Sequence, residues 1–241
     1  MLKINKIIDF ESIDSTSKYL KENYNNLDDL TFVSSLYQTS GRGRMDRSWE
    51  SNKGENLLFS LLIKDRELIN KFSSISLLSS VVILNVLKHK YKIQDVSIKW
   101  PNDVYIDNKK VAGILLEGIS ISNNIQCIVL GIGINVNQMS FVNSNAYSIS
   151  LALNKKIDLL SFKNRIYDEL INELSLLKDN KSSYLDVIRE HNFLKGKEVY
   201  ALINNNRTLS KVIDINDDNT LKVVSDGIEY NLFSDEVTFH L

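Results

Sequence analysis

The sequence is poor in the residues that build disulfide frameworks, metal clusters and sharp turns. Its 241 residues include one cysteine, one proline and nine glycines. The lone Cys127 excludes a disulfide framework and a cysteine-based zinc site, and three scattered histidines have no metal-ligand spacing. Metal-hydroxide and redox chemistry are therefore disfavoured as functions of this chain.

Strong net charge and long apolar segments are also missing. The 29 basic and 30 acidic residues give a net charge of -1, which argues against bulk attraction to nucleic acid, so any phosphate site must be local. No stretch approaches the roughly 20 apolar residues of a membrane-spanning helix, and the N-terminus lacks the pattern of a signal peptide. From these two absences we expect a cytoplasmic protein. Because 43% of the residues are hydrophobic, we also expect a substantial core.

The pattern of apolar residues divides the chain into a mixed α/β part and an all-β end. Apolar spacing of three to four residues predicts long helices, and short apolar runs between turn residues predict antiparallel strands. The predicted helices are 68–91 and 162–177, and the predicted strands lie at 2–8, 31–37, 57–63, within 96–136 and within 199–239. We therefore expect a main domain, 1–194, and a small β-barrel, 195–241.

The first motif lies in a polar segment, 38–56, that is long for a connection inside a compact domain and is therefore a candidate functional loop. It contains the run GRGRMDRSW, which begins at residue 41. Arg42, Arg44 and Arg47 stand on a glycine-punctuated loop and can converge on a polyanion, because guanidinium groups bind phosphate oxygens bidentately. A solvated basic loop is the alternative interpretation.

The second motif is KWPND, which begins at residue 99, followed by KKVAGILLEG, which begins at residue 109. Pro101 ends a strand, and Asn102 and Asp103 then stand where a strand end presents side chains to a ligand, although the pair is also an ordinary turn. Lys110 can place one cation beside a carboxylate or phosphate; a surface lysine is the alternative. The glycine spacing imitates a P-loop, but Ile119 stands where the lysine belongs, so a Walker motif is rejected.

The third motif is GIGINVN, which begins at residue 131. Alternating glycines on one face of a strand usually indicate close backbone packing or a bulge. Here they can leave room for a flat ring, with Asn135 to hydrogen-bond it.

Taken in order, Ser15, Thr16, Gln38, GRGRxxRxW, KWPND, KxAGILxE and GIGINVN resemble the biotin protein ligase family, in the form that lacks the N-terminal DNA-binding domain. The resemblance implies an α+β fold: a catalytic domain similar to class II aminoacyl-tRNA synthetases, with a mixed sheet flanked by helices, plus a small C-terminal SH3-like barrel. It also implies two steps. Biotin and ATP with Mg²⁺ give biotinoyl-5′-AMP and pyrophosphate, and a lysine of the biotin carboxyl carrier domain of acetyl-CoA carboxylase then takes the biotinoyl group.

The same resemblance assigns the site residues. The implied catalytic residues are Lys110, Arg42 and Arg44. The implied biotin site comprises Ser15, Thr16, Gln38, Gly41, Arg42, Lys110, Gly113 and Leu115. The implied ATP and AMP site comprises Arg44, Arg47, Trp49, Asn102, Asp103 and Asn135, and Mg²⁺ is expected to enter with the ATP phosphates rather than on a dense protein ligand cluster. The chemistry agrees, because joining a carboxylate to an α-phosphate brings two anions together, and fixed cations stabilise that arrangement.

The chain departs from the family pattern at Met45 and Asp46, where a basic or neutral residue and then glycine are common, and at Ser17, where asparagine is frequent. These departures bear on affinity. Because the mixed anhydride is easily hydrolysed, we expect residues 40–55 to be mobile in the free protein and to close over bound ligand. The motifs begin by residue 15, so we expect no room for an operator-binding domain and no specific nucleic-acid or membrane binding. Edge strands could form a homodimer or pair with the carrier domain.

Three other functions are weighed against this one. A lipoate or octanoate transferase shares the architecture, but it needs a long apolar channel, and the GRGR and KWPND motifs favour biotin. A biotin sensor without turnover is the second alternative, although Lys110 and the three loop arginines argue for activity. A plain nucleic-acid binder is the third, and the charge balance disfavours it.

Overall fold

Two sheets and six α-helices make up the residues that the computed structural model describes, which are 1–44, 47–122, 124–203, 205–234 and 236–238. The helices are α1 (Thr16–Asn23), α2 (Arg66–Ile69), α3 (Phe72–Asn85), α4 (Ile149–Leu153), α5 (Leu159–Lys178) and α6 (Tyr184–Glu190). The strands of the first sheet are β1 (Lys6–Phe10), β2 (Thr31–Ser35), β3 (Asn56–Ile63), β4 (Val96–Lys99), β5 (Asp103–Ile106), β6 (Lys109–Ile121) and β7 (Asn124–Asn135). Those of the second sheet are β8 (Glu198–Ile203), β9 (Asn206–Ile215), β10 (Leu221–Ser225), β11 (Ile228–Leu232) and β12 (Val237–Thr238).

The first sheet is mixed and has the strand order β1-β2-β3-β7-β6-β5-β4. β1 and β2 are parallel, with α1 in the crossover between them, and the remaining neighbours are antiparallel. Short turns join β4 through β7, as the turn residues between these strands predicted. The predicted α+β class, with a mixed sheet flanked by helices, is confirmed.

The two faces of the sheet differ in what covers them. Successive residues of β7 point to opposite faces, so Leu130 joins the large apolar cluster with α3 and α5, whereas Val129 joins a smaller cluster with α1. Ser60 pairs with Gly131, and both share the α1 face with Val129, as does Gly133. The α1 face therefore carries small and polar residues over the middle of the sheet, where a ligand can be received.

The predicted helix 68–91 is wrong as a single element. α2 ends at Ile69, α3 begins at Phe72, and a π-helical segment, Val86–Lys90, follows α3. Both pieces bury apolar residues, so the apolar spacing continues through the break and does not reveal it. The expectation that no stretch approaches a membrane-spanning helix is wrong by length and composition, because Phe72–Lys90 meets both criteria. An 18-residue window of this stretch is 61% buried inside the fold, as a core helix is.

The chain also enters the sheet later than predicted. The first strand is Lys6–Phe10 rather than 2–8, because its ladder to β2 begins at the pair of Lys6 with Thr31. The residues before it lie alongside the helices, where the backbone N–H of Leu2 donates to the hydroxyl of Ser175 at 3.0 Å.

The C-terminal sheet is a separate antiparallel barrel of the SH3-like type, with the order β11-β10-β9-β8-β12. Its β10 to β11 hairpin turns at Asp226 and Gly227, which both have positive φ, as a type I′ turn requires. The change to an all-β pattern near residue 197 is confirmed by the start of β8 at Glu198. The domain boundary between 194 and 195 stays a prediction.

One turn of the barrel contacts the first sheet and its helices. Asn219, between β9 and β10, has a left-handed backbone with φ of 72°. Its carbonyl oxygen accepts from the indole N–H of Trp100 at 2.9 Å, and its Oδ1 accepts from the hydroxyl of Tyr184 at 2.7 Å. Its Nδ2 donates to Ser74 at 3.3 Å. The barrel is thus hydrogen-bonded to the segment that leads from β4 into Asn102 and Asp103.

Candidate active site

A cavity of about 940 Å³ lies over the α1 face of the first sheet. Its walls come from the start of α1, the loop before β3, the strands β3, β6 and β7, the turn after β4, and the barrel. The predicted site residues that line it are Ser15, Thr16, Gln38, Arg42, Arg44, Arg47, Trp49, Asn102, Asp103, Lys110, Gly113, Leu115 and Asn135. The fold therefore brings together residues that are up to 120 positions apart in sequence, from 15 to 135.

The first end of the cavity, which we call the polar end, is a hydrogen-bonded group of Thr16, Ser17, Gln38 and Ser60. The backbone N–H and the hydroxyl of Thr16 donate to Gln38 Oε1 at 2.7 and 3.0 Å. The hydroxyl of Ser60 lies 2.8 Å from that of Thr16 and 2.9 Å from that of Ser17. Ser15 caps α1 by accepting from the backbone N–H of Lys18 at 3.4 Å, so its oxygen is tied to the helix start.

The middle of the cavity holds the indole ring of Trp49. Gly113 and Gly133 are cross-strand partners in β6 and β7. A Cβ atom on Gly133 would lie 2.6 Å from Trp49 Cε2, and one on Gly113 would lie 2.9 Å from Trp49 Cζ3. The glycines leave room for a flat ring, as the third motif predicted, and in this structure the ring is a side chain of the protein.

Two buried polar atoms near this ring have no partner among the described residues. They are Nε1 of Trp49 and Oδ1 of Asn135. A buried polar atom without a hydrogen bond is costly, and such atoms are common where a ligand completes the bonding. One is a donor and the other an acceptor, so together they match a flat ring that carries both kinds of group.

Lys110 carries the central cation of the cavity. Its Nζ lies 2.6 Å from Asp103 Oδ1, and the two groups form an ion pair whose geometry falls outside that of a hydrogen bond. The same Nζ lies 5.5 Å from the centroid of the Trp49 ring. The backbone on both sides is held in place, because the Lys110 N–H donates to Asn145 O and the Lys110 carbonyl accepts from Tyr147 N, each at 2.8 Å.

In the glycine-rich loop, residues 41–44 pair with residues 47–49 in antiparallel fashion, and we call these two segments the arginine hairpin. Gly43 N donates to Arg47 O at 2.6 Å, and Trp49 N donates to Gly41 O at 3.0 Å. Gly41 does not line the main cavity but a neighbouring recess of about 480 Å³. A Cβ on Gly41 would lie 3.0 Å from Trp49 O, so this glycine packs closely against the backbone of Trp49 across the hairpin and does not face the main cavity.

The three arginines of the hairpin differ in their surroundings. Arg44 donates to Asn102 Oδ1 at 3.3 Å and to Ser234 O of the barrel at 3.4 Å. Arg42 and Arg47 are exposed, although both line the cavity. The departures from the family pattern at 45 and 46 lie outside the described residues.

Several cavity residues were not predicted from the sequence. They include Ser60, Lys99, Tyr105, Phe193, Lys197, five residues after β7 (Phe141, Val142, Asn143, Asn145 and Ala146) and residues of the barrel. Ser60 has a signal, because it is a hydroxyl inside the otherwise apolar strand NLLFSLLI. Lys99 is the first residue of the KWPND motif, which assigned it no role. The remaining residues come from separate segments that carry no shared spacing, and the fold brings them to one cavity.

The cavity shifts the pKa of two of these residues. Burial lowers the pKa of Lys99; the carboxylate of Asp103 opposes this shift, and the positive charges of Lys110, Lys197 and Arg47 reinforce it. Burial also raises the pKa of Tyr105, and the charge of Asp103 adds to that shift. Positive charge therefore outweighs negative charge on this wall, as a site for anions requires.

The carboxylates suit an incoming magnesium ion better than a resident metal. No group of three His, Cys, Asp or Glu residues able to hold a metal ion occurs in the part of the chain that the structure describes. Asp103 and Glu50 are carboxylates that line the cavity. Oxygen ligands in small number fit Mg²⁺, which keeps most of its shell from phosphates and water.

Comparison with known proteins places the chain in a family. The model of the biotin/lipoate A/B protein ligase family matches residues 10–135. The bifunctional ligase/repressor BirA of Bacillus spizizenii is 35% identical over 71% of this chain and 57% of its own length. The protein of the same name from Bacillus subtilis is 31% identical over 92% of this chain and 71% of its own length. This chain thus spans little more than half of the first of these relatives.

The fold is that of a biotin protein ligase. The solved structure of biotin protein ligase from Aquifex aeolicus in complex with biotin and ATP superposes with a TM-score of 0.84 at 27% identity, covering 98% of each chain. The chain belongs to the biotin/lipoate A/B protein ligase family, and the family predicted from the motifs is confirmed.

Proposed function

We propose that this chain is a biotin protein ligase, which activates biotin with MgATP to biotinoyl-5′-AMP and then transfers the biotinoyl group to a lysine of a biotin carboxyl carrier domain. The observation that carries this proposal is the arrangement of one cavity. Hydroxyl and amide groups stand at the polar end, Lys110 stands in the middle, and the arginine hairpin closes the opposite side. The Aquifex aeolicus relative, which was solved with biotin and ATP, supports the same substrates.

The polar end suits the ureido ring of biotin. That ring carries two N–H donors and one carbonyl acceptor, and the hydroxyls of Thr16, Ser17 and Ser60 can each donate or accept. Gly131 makes the space, because a Cβ there would lie 2.6 Å from Ser17 Oγ. The edge of β6 at Gly113 and Leu115 lines the path of the valerate chain towards Lys110.

Lys110 and the hairpin arginines then carry the first step. A carboxylate oxygen of biotin attacks the α-phosphorus, the bond between the α- and β-phosphates breaks, and pyrophosphate leaves with the electron pair. The ammonium of Lys110 lies where it can contact both anions, and Arg42 and Arg44 add charge from the hairpin. Bound Mg²⁺ would be held by Asp103 and phosphate oxygens and would neutralise charge on the leaving group.

The two buried polar atoms without partners in the middle of the cavity, Trp49 Nε1 and Asn135 Oδ1, fit the adenine ring. Asn135 Oδ1 can accept from an exocyclic amino group, and Trp49 Nε1 can donate to a ring nitrogen. Substrate binding would thus satisfy the two atoms that the free protein leaves without partners.

In the second step the ε-amino group of the carrier lysine attacks the acyl carbon of biotinoyl-5′-AMP, an amide forms, and AMP leaves. We assign the carrier to acetyl-CoA carboxylase because the sequence motifs resemble those of ligases that modify this enzyme. We further infer that the chain does not bind an operator, since its net charge of -1 gives no bulk attraction to DNA. Specific DNA binding by this chain at physiological salt would contradict that inference. A cytoplasmic location stays a prediction.

A homodimer stays a prediction, and the sheet indicates where it would form. β1 and β4 are the outer strands of the first sheet. β4 is covered, because Ile98 N donates to His191 O at 2.8 Å and Phe193 N donates to Ile98 O at 2.9 Å. β1 is therefore the outer strand to which a second copy or the carrier domain would add.

The proposal is tested by exchange of labelled pyrophosphate into ATP, with biotin, lipoate or octanoate as the acid. We expect exchange with biotin and transfer of labelled biotin to an isolated carrier domain. Exchange with lipoate or octanoate alone would overturn the assignment of substrate. Biotin binding without any exchange would identify a sensor that has no turnover.

A further inference from the structure

The side chains of the polar end meet in a single row of hydrogen bonds, which we call the hydroxyl row. Its three contacts join Ser17 to Ser60 at 2.9 Å, Ser60 to Thr16 at 2.8 Å, and Thr16 to Gln38 at 3.0 Å. The three hydroxyl residues are buried. Each hydroxyl has one proton, which can serve one contact, so the order of donors and acceptors is a property of the whole row.

The amide of Gln38 fixes the first step of this order. The backbone N–H of Thr16 lies 2.7 Å from Gln38 Oε1. Because a backbone N–H can only donate, the amide atom that it faces must be the oxygen and not the nitrogen. That oxygen can only accept, so the hydroxyl of Thr16, 3.0 Å away, must give its one proton to Gln38.

The two remaining contacts then have one solution. The proton of Thr16 is already used, so Ser60 donates at the contact of 2.8 Å with Thr16. The proton of Ser60 is used in turn, so Ser17 donates at the contact of 2.9 Å with Ser60. The opposite choice at Ser60 would leave two oxygens facing each other without a proton between them. The hydroxyl row therefore leaves Ser17 Oγ with lone pairs but without a proton for a ligand.

Ser17 Oγ is held close to β7 in the wall of the cavity. Gly131 permits this approach, because a Cβ there would lie 2.6 Å from Ser17 Oγ, and both residues line the cavity. A ring that enters the polar end thus meets an oxygen that can only accept. Ser17 stands where the family pattern often has asparagine, whose amide carries donors as well as an acceptor and does not impose the same requirement.

We propose that Ser17 selects ligands by requiring a ring N–H at the polar end, and that the hydroxyl row enforces this requirement. The inference rests on the proposed ligase function and deepens it, because it names the feature of the acid that this end recognises. Taken singly, each hydroxyl can donate or accept, but the row removes that choice. A cyclic urea supplies the N–H. A cyclic carbamate or the dithiolane ring of lipoate leaves the buried oxygen unpaired or opposite another acceptor, and such a site rejects the ligand.

The test uses biotin and its two cyclic carbamate analogues, in which one or the other ureido N–H is replaced by a ring oxygen. Binding to the full chain is measured by calorimetry without ATP. We expect the analogue whose oxygen faces Ser17 to bind roughly 5- to 150-fold more weakly than biotin, since two acceptors then face each other. In Ser60→Ala the Ser17 hydroxyl loses its acceptor and can turn its proton towards that ring oxygen. The ratio of the two dissociation constants should therefore fall by roughly 5-fold.

Ser17→Ala is a second variant, which keeps the inference testable if Ser60→Ala does not fold. It should lower the same ratio by weakening biotin and leaving the analogue unaffected. Ser79→Ala removes a buried hydroxyl of α3 away from the cavity and should keep the wild-type ratio. A purely structural role of the hydroxyl row would weaken both ligands equally, so a wild-type ratio in both Ser60→Ala and Ser17→Ala would overturn the inference.

Pyrophosphate exchange separates this inference from the proposed function. A ratio that shifts in the variants supports selection by Ser17 even if the wild type shows no biotin-dependent exchange, which would contradict the ligase activity alone. Biotin-dependent exchange together with equal binding of biotin and both carbamates by the wild type would overturn selection by Ser17 and leave the ligase activity in place.

Discussion

The two ends of the cavity differ in secondary structure and in the burial of their side chains. At the polar end, Thr16, Ser17 and Ser60 stand on a helix and a central strand, are buried, and bond to one another. At the opposite side, Arg42 and Arg47 project from the arginine hairpin and are exposed. A ring that enters the polar end meets buried groups that bond to one another, whereas phosphates meet arginine side chains that are exposed. We therefore predict ordered binding, with biotin first and closure of the hairpin afterwards.

Lys110→Ala is expected to have the largest effect, because it removes the cation that stands between the two ends. It also leaves the carboxylate of Asp103 without its partner at 2.6 Å, beside two incoming anions. We expect the rate of biotin-dependent pyrophosphate exchange to fall by roughly 10²- to 10³-fold. Lys109→Ala, at the exposed neighbouring position, is the control. Wild-type exchange by Lys110→Ala would leave the hairpin as the source of catalysis.

Gly133→Ala tests whether ATP affinity can be lowered at the middle of the cavity without a change in biotin affinity at the polar end. The new Cβ would lie 2.6 Å from Trp49 Cε2, so the indole ring must move. Overpacking of this kind costs about 1–3 kcal/mol of stability. Because the displaced indole carries its Nε1 away from the proposed adenine site, we expect ATP to bind roughly 5-fold more weakly, the value of one net hydrogen bond of about 1 kcal/mol. Gly118→Ala is the matched control, since its Cβ would meet nothing closer than 3.6 Å. Equal losses of ATP and biotin affinity, measured by calorimetry, would show that the two ends are not independent.

Trypsin digestion measures the ordering of the arginine hairpin directly. We expect cleavage after Arg42 or Arg47 in the free protein, slowed about 10-fold by biotin and ATP at ten times their dissociation constants. Cleavage after Arg165, on the surface of α5, reports opening of the whole fold and serves as the internal reference. A hairpin cut at the same rate with and without ligands would contradict the closure step.

Ser60→Ala is expected to have the smallest effect, confined to the polar end. It removes one hydroxyl from a network in which Thr16 keeps its bonds to Gln38. A net hydrogen bond is worth about 0.5–1.5 kcal/mol, so biotin should bind roughly 2- to 10-fold more weakly, with the KM for ATP unchanged. Ser79→Ala deletes a buried hydroxyl from α3 away from the cavity and controls for stability. A larger change in ATP affinity than in biotin affinity would contradict the assignment of the polar end to biotin.

Much of the fold could be predicted because its signals are local. The strands from β4 to β7 follow one another through short turns, so their order and direction are contained in the apolar runs and the turn residues. The break between α2 and α3 was missed because apolar spacing persists on both sides of it. The start of β1 was misplaced because pairing with Thr31, distant in sequence, decides which residues extend as a strand.

The site residues also divide into those that a continuous sequence motif predicts and those that only contacts distant in sequence bring to the cavity. Motifs predicted the hairpin arginines and Lys110, since each motif is a continuous run. The alternating glycines of β7 predicted a space for a flat ring but not that Trp49 would lie in it, because strand spacing does not report contacts across the cavity. Lys197 could not be found from the sequence, since its place beside Phe193 depends on how the barrel packs.

The turn at Asn219 sets a limit on how far the chain can be shortened. A ligase cut after residue 194 would lose the carbonyl that accepts from the Trp100 indole, and the indole, which is 2% exposed in the whole chain, would lose part of its cover. This exposure of apolar surface falls on the residue directly before Pro101, Asn102 and Asp103. The barrel therefore stabilises the segment after β4, and we expect the barrel and the first sheet to unfold in one thermal transition.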